Sequence, residues 1–274
     1  MAGEQNAIAL QFKDVSVAFE GERVLKNVSF EVPAGETRVL FGAAGAGKTV
    51  TLKTAMGLVR AESGQVLLLG NDIGTMTEEQ MFDLRPRVGM LFQEGALFDS
   101  MTIEENVAYP LVNQKHDVPP PAEVNRRVRE ALRFVELEHT LEKFPSELSG
   151  GMRRRVAIAR AVVTEPPLLL YDSPTAGLDP ITANTICKLI LKQRDLSNTT
   201  TLMVTHRYQN GNLMANYRYD KESGELVPAG RSHRGAVRTK FLGFRDGALV
   251  FEGTQQELEA SRDPYIAKFV RHNG

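Results

Sequence analysis

The chain has 274 residues, 42% of them hydrophobic, and a formal net charge of −1. That is enough apolar material for a substantial core, while a near-neutral charge balance gives no broad attraction to nucleic acid. The single cysteine, Cys187, excludes an internal disulfide and a cysteine-based zinc site and reads as a small core residue; no apolar run is long enough to span a bilayer, and Met1–Asn6 resembles no signal peptide, so a soluble cytosolic protein is expected, with any membrane role supplied by a partner.

Residues 8–19 and 24–32 alternate apolar and polar side chains, the pattern of two antiparallel strands. Residues 37–41 (Thr-Arg-Val-Leu-Phe) read as a short buried strand. It runs into Gly42-Ala43-Ala44-Gly45-Ala46-Gly47-Lys48-Thr49, which fits G-x-x-x-x-G-K-[ST]. This spacing describes a phosphate-binding loop. Its glycines permit the tight, partly left-handed turns that aim backbone N–H groups at one point. Lys48 adds a positive charge near the β- and γ-phosphates, and Thr49 offers a hydroxyl to Mg²⁺. A helix over 49–58, with Val50 in its first turn, adds the positive end of its dipole. The bland alternative is a glycine-rich turn, and the strand before and helix after argue against it.

Further along, 64–69 reads as a strand. Thr77 reads as the N-cap of a helix to Leu84. Residues 88–92 form a strand ending at Gln93. Pro119-Pro120-Pro121 breaks the chain before a charged amphipathic helix over 122–135. Ser149 caps a helix that runs to Val163 and is stopped by Pro166-Pro167. Arg153-Arg154-Arg155 reads as a solvated face of that helix.

Leu168-Leu169-Leu170-Tyr171-Asp172 describes a buried strand ending at a polar edge. Ligands of open α/β sheets sit outside the carboxyl ends of the strands, so Asp172 is a candidate Mg²⁺ holder, against the alternative that it merely ends a strand. Residues 201–205 form a strand ending at His206. Residues 207–240 are polar and weakly periodic, and read as an inserted loop or small hairpin. A hairpin over 241–251, turning at Arg245-Asp246-Gly247, precedes a short terminal helix opened by Asp263-Pro264-Tyr265.

The P-loop, Asp172 and Leu148-Ser149-Gly150-Gly151-Met152 together resemble an ABC-transporter nucleotide-binding domain over nearly the whole chain. The resemblance implies an α/β fold: a P-loop NTPase (RecA-like) core over about 1–93 and 166–274, with an antiparallel β subdomain and an inserted α-helical signature subdomain over about 94–165. It implies ATP and Mg²⁺ as ligands, the ATP held by Gly42 through Val50. Phe19 matches the aromatic that stacks on adenine, although alone it reads equally as a core residue. Gln93 matches the glutamine at the Mg²⁺ and the permease contact. Ala176-Gly177-Leu178-Asp179 matches the D-loop, and His206 the switch histidine that senses the γ-phosphate.

In the family, two copies pack head to tail. Ser149, Gly150 and Gly151 would then serve the γ-phosphate bound by the other copy. Gly95 to Thr102 and Glu105 to Leu111 resemble the ATPase subunit of Mla-type phospholipid transporters, as does Leu148 to Arg155. This implies an integral membrane permease and an MCE-domain protein as partners, no nucleic acid, and a peripheral place on the cytoplasmic face of the inner membrane.

One departure stands out. After the Walker B Asp172 the family usually has Glu, and here it is Ser173. A serine hydroxyl has no useful basicity near neutral pH. Glu165 lies at the far end of the strand, about 23 Å away at strand rise. His206 is the remaining candidate to orient water. Three readings follow: a transport ATPase, a hydrolysis-impaired ATP-gated switch, and a soluble ABC ATPase outside transport. The third usually carries long coiled-coil insertions or two fused cassettes, and this sequence has neither.

Overall fold

The structure is a computed structural model that describes residues 7–229 and 239–271. The readings at Met1–Asn6 and at 230–238 of the insertion lie outside the described residues. The chain opens with β1 (Ile8–Phe19), β2 (Glu22–Pro33), β3 (Thr37–Gly42), α1 (Lys48–Ala55), β4 (Ser63–Leu68), β5 (Asn71–Asp72), α2 (Glu78–Leu84) and β6 (Val88–Leu91). Three helices follow: α3 (Ile103–Val112), α4 (Pro121–Phe134) and α5 (Gly150–Val162). Then come β7 (Leu168–Asp172), α6 (Pro180–Ser197), β8 (Thr200–Val204), α7 (Tyr208–Asn216), β9 (Tyr217–Tyr219), β10 (Leu226–Pro228), β11 (Thr239–Arg245), β12 (Ala248–Gly253), α8 (Gln255–Glu259) and α9 (Pro264–Arg271).

Two main sheets carry the fold. One is antiparallel, in the order β2-β1-β4-β5; the other is β12-β11-β3-β8-β7-β6, parallel from β11 through β6. The larger sheet is buried on both faces, and its strands show why. Val39 and Phe41, Leu169 and Tyr171, Met203 and Phe241 point into one core with the helices α3 to α6. Leu40, Leu168, Leu170, Leu202, Val204, Leu242 and Phe244 point into the other, shared with the antiparallel sheet, α1 and α2. Alternate residues thus serve opposite cores. Each large side chain so buried contributes about 1.5–3 kcal/mol.

Local chemistry sets the helix ends. Thr77 and Gln80 form a reciprocal capping box on α2, and Thr102 and Glu105 form another on α3. Ser149 Oγ accepts from Met152 N at 3.2 Å to start α5. Asp179 accepts from the N–H groups of Ile181 and Thr182, both at 3.0 Å, to start α6 with Pro180 in its first turn.

Several expectations need correction. α1 stops at Ala55, three residues early, and Leu58 is exposed. β6 stops at Leu91, so Gln93 sits in the following loop rather than at the strand end. The 207–240 segment begins with a helix, α7, before the small β9–β10 hairpin. α7 formed where the polar composition hid it: only Asn210, Gly211 and Met214 are buried, too few apolar residues to show a helical stripe. Cys187 is fully buried, as expected. Among the described residues no helix is long and apolar enough to cross a membrane.

The hydroxyl of Tyr171 is buried among the described residues without a hydrogen-bond partner. Such an orphan costs about 1–3 kcal/mol. Tyr171→Phe is therefore expected to stabilise the protein by about 1 kcal/mol, a rise of roughly 2–4 °C in melting temperature for a chain of this size. Thermal unfolding checks it; an unchanged or lowered midpoint would show that the hydroxyl is satisfied.

Candidate functional site

β3 delivers the loop at Gly42, and α1 leaves it at Lys48. Gly47 is the N-cap of α1 with φ 98°, a left-handed conformation. A Cβ there would also lie 2.7 Å from Leu25 Cδ2 and 3.0 Å from the Val24 carbonyl. Glycine is thus required twice, for conformation and for space. The close approach sets the loop against β2, whose hairpin with β1 carries Phe19 at its tip, 46% exposed. Phe19 is no core residue, and its ring is free to meet a ligand. Ala43, Ala44, Gly45 and Thr49 are exposed, Val50 is half-buried, and Ala46, Gly47 and Lys48 are buried.

Lys48 Nζ donates to the carbonyls of Gly42 at 2.8 Å and Ala43 at 2.7 Å, curling over the loop. Burial pushes its pKa down to about 8, and the nearby Asp172 carboxylate opposes that shift. Asp172 ends β7, is 3% exposed, and accepts a long hydrogen bond from Ser173 Oγ at 3.3 Å. Ser173 is itself buried and held with φ 48° by its N–H donating to the Val204 carbonyl at 3.0 Å.

His206 follows β8 and keeps an exposed surface. Desolvation of its ring, then the Lys48 ammonium, hold its pKa below 6.5, against a hydrogen bond to the Gly42 backbone and the Asp172 charge. The imidazole is therefore neutral at neutral pH, and able both to donate and to accept. Gly42, Lys48, Asp172, Ser173 and His206 thus come together at the carboxyl ends of β3, β7 and β8.

Gln93 is exposed beside Phe92, and its loop is held from an unexpected side. Arg154 is 7% exposed; its Nη1 reaches the Phe92 carbonyl at 3.3 Å and its Nη2 the Ala176 carbonyl at 3.4 Å. The solvated-face reading holds for Arg153 and fails for Arg154, because the helix turns that residue inward between two loops. Desolvation disfavours its charge, and Glu94 and Asp172 offset part of that cost.

Asn210 is a second group invisible in the sequence. It is buried on α7 and donates to Thr175 Oγ1 at 2.7 Å and Thr205 Oγ1 at 3.1 Å, bridging the stretch after Ser173 to the residue before His206.

Ser149 and Gly150 are exposed at the start of α5. The side-chain atoms nearest to where Cβ atoms would stand on Gly150 and Gly151 belong to Arg153 and Thr182, and none to residues 42–49.

Among the described residues no three His, Cys, Asp or Glu side chains group as a metal cluster. Mg²⁺ needs no such cluster: one or two protein oxygens, substrate phosphates and water satisfy it. A buried carboxylate at Asp172 and an exposed hydroxyl on Thr49 fit that demand.

The sequence pattern of ABC transporters matches residues 25–176, more than half of the chain. The chain belongs to the ABC transporter family. It is 39% identical over 199 residues to a probable ribonucleotide transport ATP-binding protein, mkl, of Mycobacterium leprae, covering 73% of this chain but only 57% of that one. It is 32% identical over 261 residues to the intermembrane phospholipid transport system ATP-binding protein MlaF of Escherichia coli, covering 95% of this chain and 88% of that one. Among solved structures, the dimeric bacterial ABC transporter cassette MJ0796 superposes with a TM-score of 0.74 at 27% identity, over 89% of this chain and 98% of that one. The same cassette has been solved as a dimer bound to ADP and Pi, with a TM-score of 0.73.

Phosphate favours the charged form of Lys48, whose free pKa is about 8. If ATP seats its phosphates at Lys48, binding above that pH must take up a proton, so affinity is full below pH 8 and falls as pH rises, by up to about tenfold per unit. Calorimetric titrations between pH 7 and 9.5 should show this decline, and proton uptake on binding. An affinity flat across that range would mean that Lys48 titrates normally.

Proposed function

We propose that this chain is the ATP-binding and ATP-hydrolysing subunit of an ABC transporter that moves phospholipid or another hydrophobic substrate. It docks peripherally on a permease at the cytoplasmic face of the inner membrane and works as an ATP-sandwich dimer, with an MCE-domain protein as a further partner. The observation that carries the reading is the gathering of Lys48, Asp172 and His206 around Gly42. The cargo reading rests on MlaF, the relative matched over nearly the full length of both chains.

In this reading the backbone of Gly42–Val50 receives the phosphates, and Phe19 stacks on adenine. Thr49 and Asp172 would hold Mg²⁺, with Gln93 beside them. When bound, the ion neutralises charge on the β- and γ-phosphate oxygens. Lys48 leaves the Gly42 and Ala43 carbonyls for the phosphate. His206, neutral and hydrogen-bonded to Gly42, orients the γ-phosphate and the attacking water. Ser149, Gly150 and Gly151 present a hydroxyl, bare backbone and a helix N-terminus to the nucleotide on the second copy. RecA-like core (about 1–93 and 166–274) and helical signature subdomain (about 94–165) then act as the units that close on ATP.

Charge-assisted hydrogen bonds contribute about 1.5–3 kcal/mol each, so Lys48→Ala should weaken ATP binding by roughly ten- to a hundredfold. Ser149→Arg should abolish turnover and dimer closure while leaving ATP binding to the monomer intact. Calorimetry, light scattering and steady-state ATPase read these out; normal turnover by Ser149→Arg would exclude action in trans.

A specific observation favours a second reading, an ATP-gated switch with slow hydrolysis. The Ser173 hydroxyl is turned to Asp172 and offers no base where the family usually has Glu. Water-positioning carboxylates contribute typically ~10²–10⁴-fold. Ser173→Glu is expected to raise turnover by at least ~10²-fold and shorten the life of the closed dimer, and His206→Ala to remove most of the wild-type rate. The check is ATPase activity within the intact transporter. Family-typical wild-type turnover, unmoved by Ser173→Glu, would show that Ser173 is no handicap.

A further inference from the structure

The terminal helix reaches the P-loop directly. The backbone N–H of Ala43 donates to Tyr265 Oη at 2.8 Å, across 222 residues of sequence. Tyr265 Oη donates its own proton to the Phe244 carbonyl at 2.5 Å. The hydroxyl proton is therefore committed to β11, and a lone pair is left facing the loop. The same two groups explain Gly42, whose φ is 152°: a Cβ there would stand 2.3 Å from the Phe244 carbonyl oxygen and 3.1 Å from Tyr265 Oη.

α9 is firmly seated where this happens. Phe269 stacks on Phe41, the residue before the loop, with ring centroids 4.2 Å apart and an interplanar angle of 17°. Ile266 is 2% exposed. Asp263 Oδ1 accepts from the Tyr265 N–H at 2.7 Å, which fixes the start of the helix.

One peptide unit receives all of this. The Gly42 carbonyl and the Ala43 N–H belong to the same amide plane. Lys48 holds the carbonyl side and Tyr265 holds the N–H side. When phosphate draws Lys48 away, the carbonyl loses one of its two donors and keeps His206, so the peptide depends more on the N–H side for its orientation. From this we infer that Tyr265 is a positioning residue for nucleotide binding: its hydroxyl keeps the Gly42–Ala43 peptide in its binding orientation, and so couples docking of the C-terminal helix to ATP affinity. By linkage the coupling is reciprocal. ATP steadies α9, and a partner that lifts α9 weakens ATP binding. The inference rests on the nucleotide-binding reading above.

Tyr265→Phe in the full-length protein tests it, because the ring and its packing remain and only the hydroxyl goes. One neutral hydrogen bond corresponds to roughly two- to tenfold in affinity. ATP should bind Tyr265→Phe weaker by about that factor, with KM raised and kcat at saturation unchanged. Hydrogen exchange adds a readout that a merely structural role does not move. ATP should slow exchange across 264–271 in the wild type, and this protection should be lost in Tyr265→Phe. Equal ATP affinity in the two proteins, or a lowered kcat with KM unchanged, overturns the inference while leaving the nucleotide reading intact. A wild type that binds no ATP overturns both.

Discussion

The parallel strands β11, β3, β8, β7 and β6 lie between two buried apolar cores. A shift of one residue in any strand would carry its large side chains from one core to the other. The strand ends are therefore fixed points. Gly42, Asp172 and Val204 close three neighbouring strands, with Asp172 registered opposite Val204. The phosphate loop with Lys48, Asp172 with Ser173, and His206 hang from those three ends. The loops can be irregular because the sheet beneath them is not.

That placement sets up an electrostatic tension. Lys48 is buried enough for its ammonium to be disfavoured, and Asp172 only partly restores it. His206 feels the same lysine and stays neutral. Arg154 brings a further guanidinium between two loops, near Asp172 and Glu94. Ser173 adds no negative charge where a second carboxylate is usual. Two cations thus face two carboxylates, yet burial still disfavours the charged forms of Lys48 and Arg154, and an added anion would relieve that cost. Low local dielectric makes this relief stronger than it would be in water.

The loops are also gripped from behind. Arg154 on α5 holds the carbonyls of Phe92 and Ala176, so movement of the signature helix must carry both loops or break both bonds. Asn210 on α7 ties Thr175 to Thr205, next to His206. Tyr265 on α9 holds Ala43. Buried polar groups need partners, and here the partners lie on elements remote in sequence. The nucleotide loops, the signature helix and the chain terminus form one hydrogen-bonded unit rather than separate motifs.

Gly42–Thr49, Leu168–Asp172 and Ser149–Met152 were legible in the sequence because their chemistry is local. A phosphate loop needs glycines at fixed spacing, a buried strand needs an apolar run, and a helix needs its cap. The antiparallel β1–β2 pair was legible for the same reason, through its period of two. Helix α7 and the end of β6 were not, because their residues carry no clear apolar period and tertiary contacts settled their conformation. The burial of Arg154 was hidden because a run of three arginines looks the same from any side. Asn210 and Tyr265 were hidden because their partners are distant along the chain, and no spacing records a hydrogen bond across 222 residues. The sequence determined the glycine loop after β3, the carboxylate at the end of β7 and the cap of α5. Only the tertiary structure decided which remote side chains hold them, since those bonds exist only once the two cores have packed and brought the strand ends, α5, α7 and α9 together.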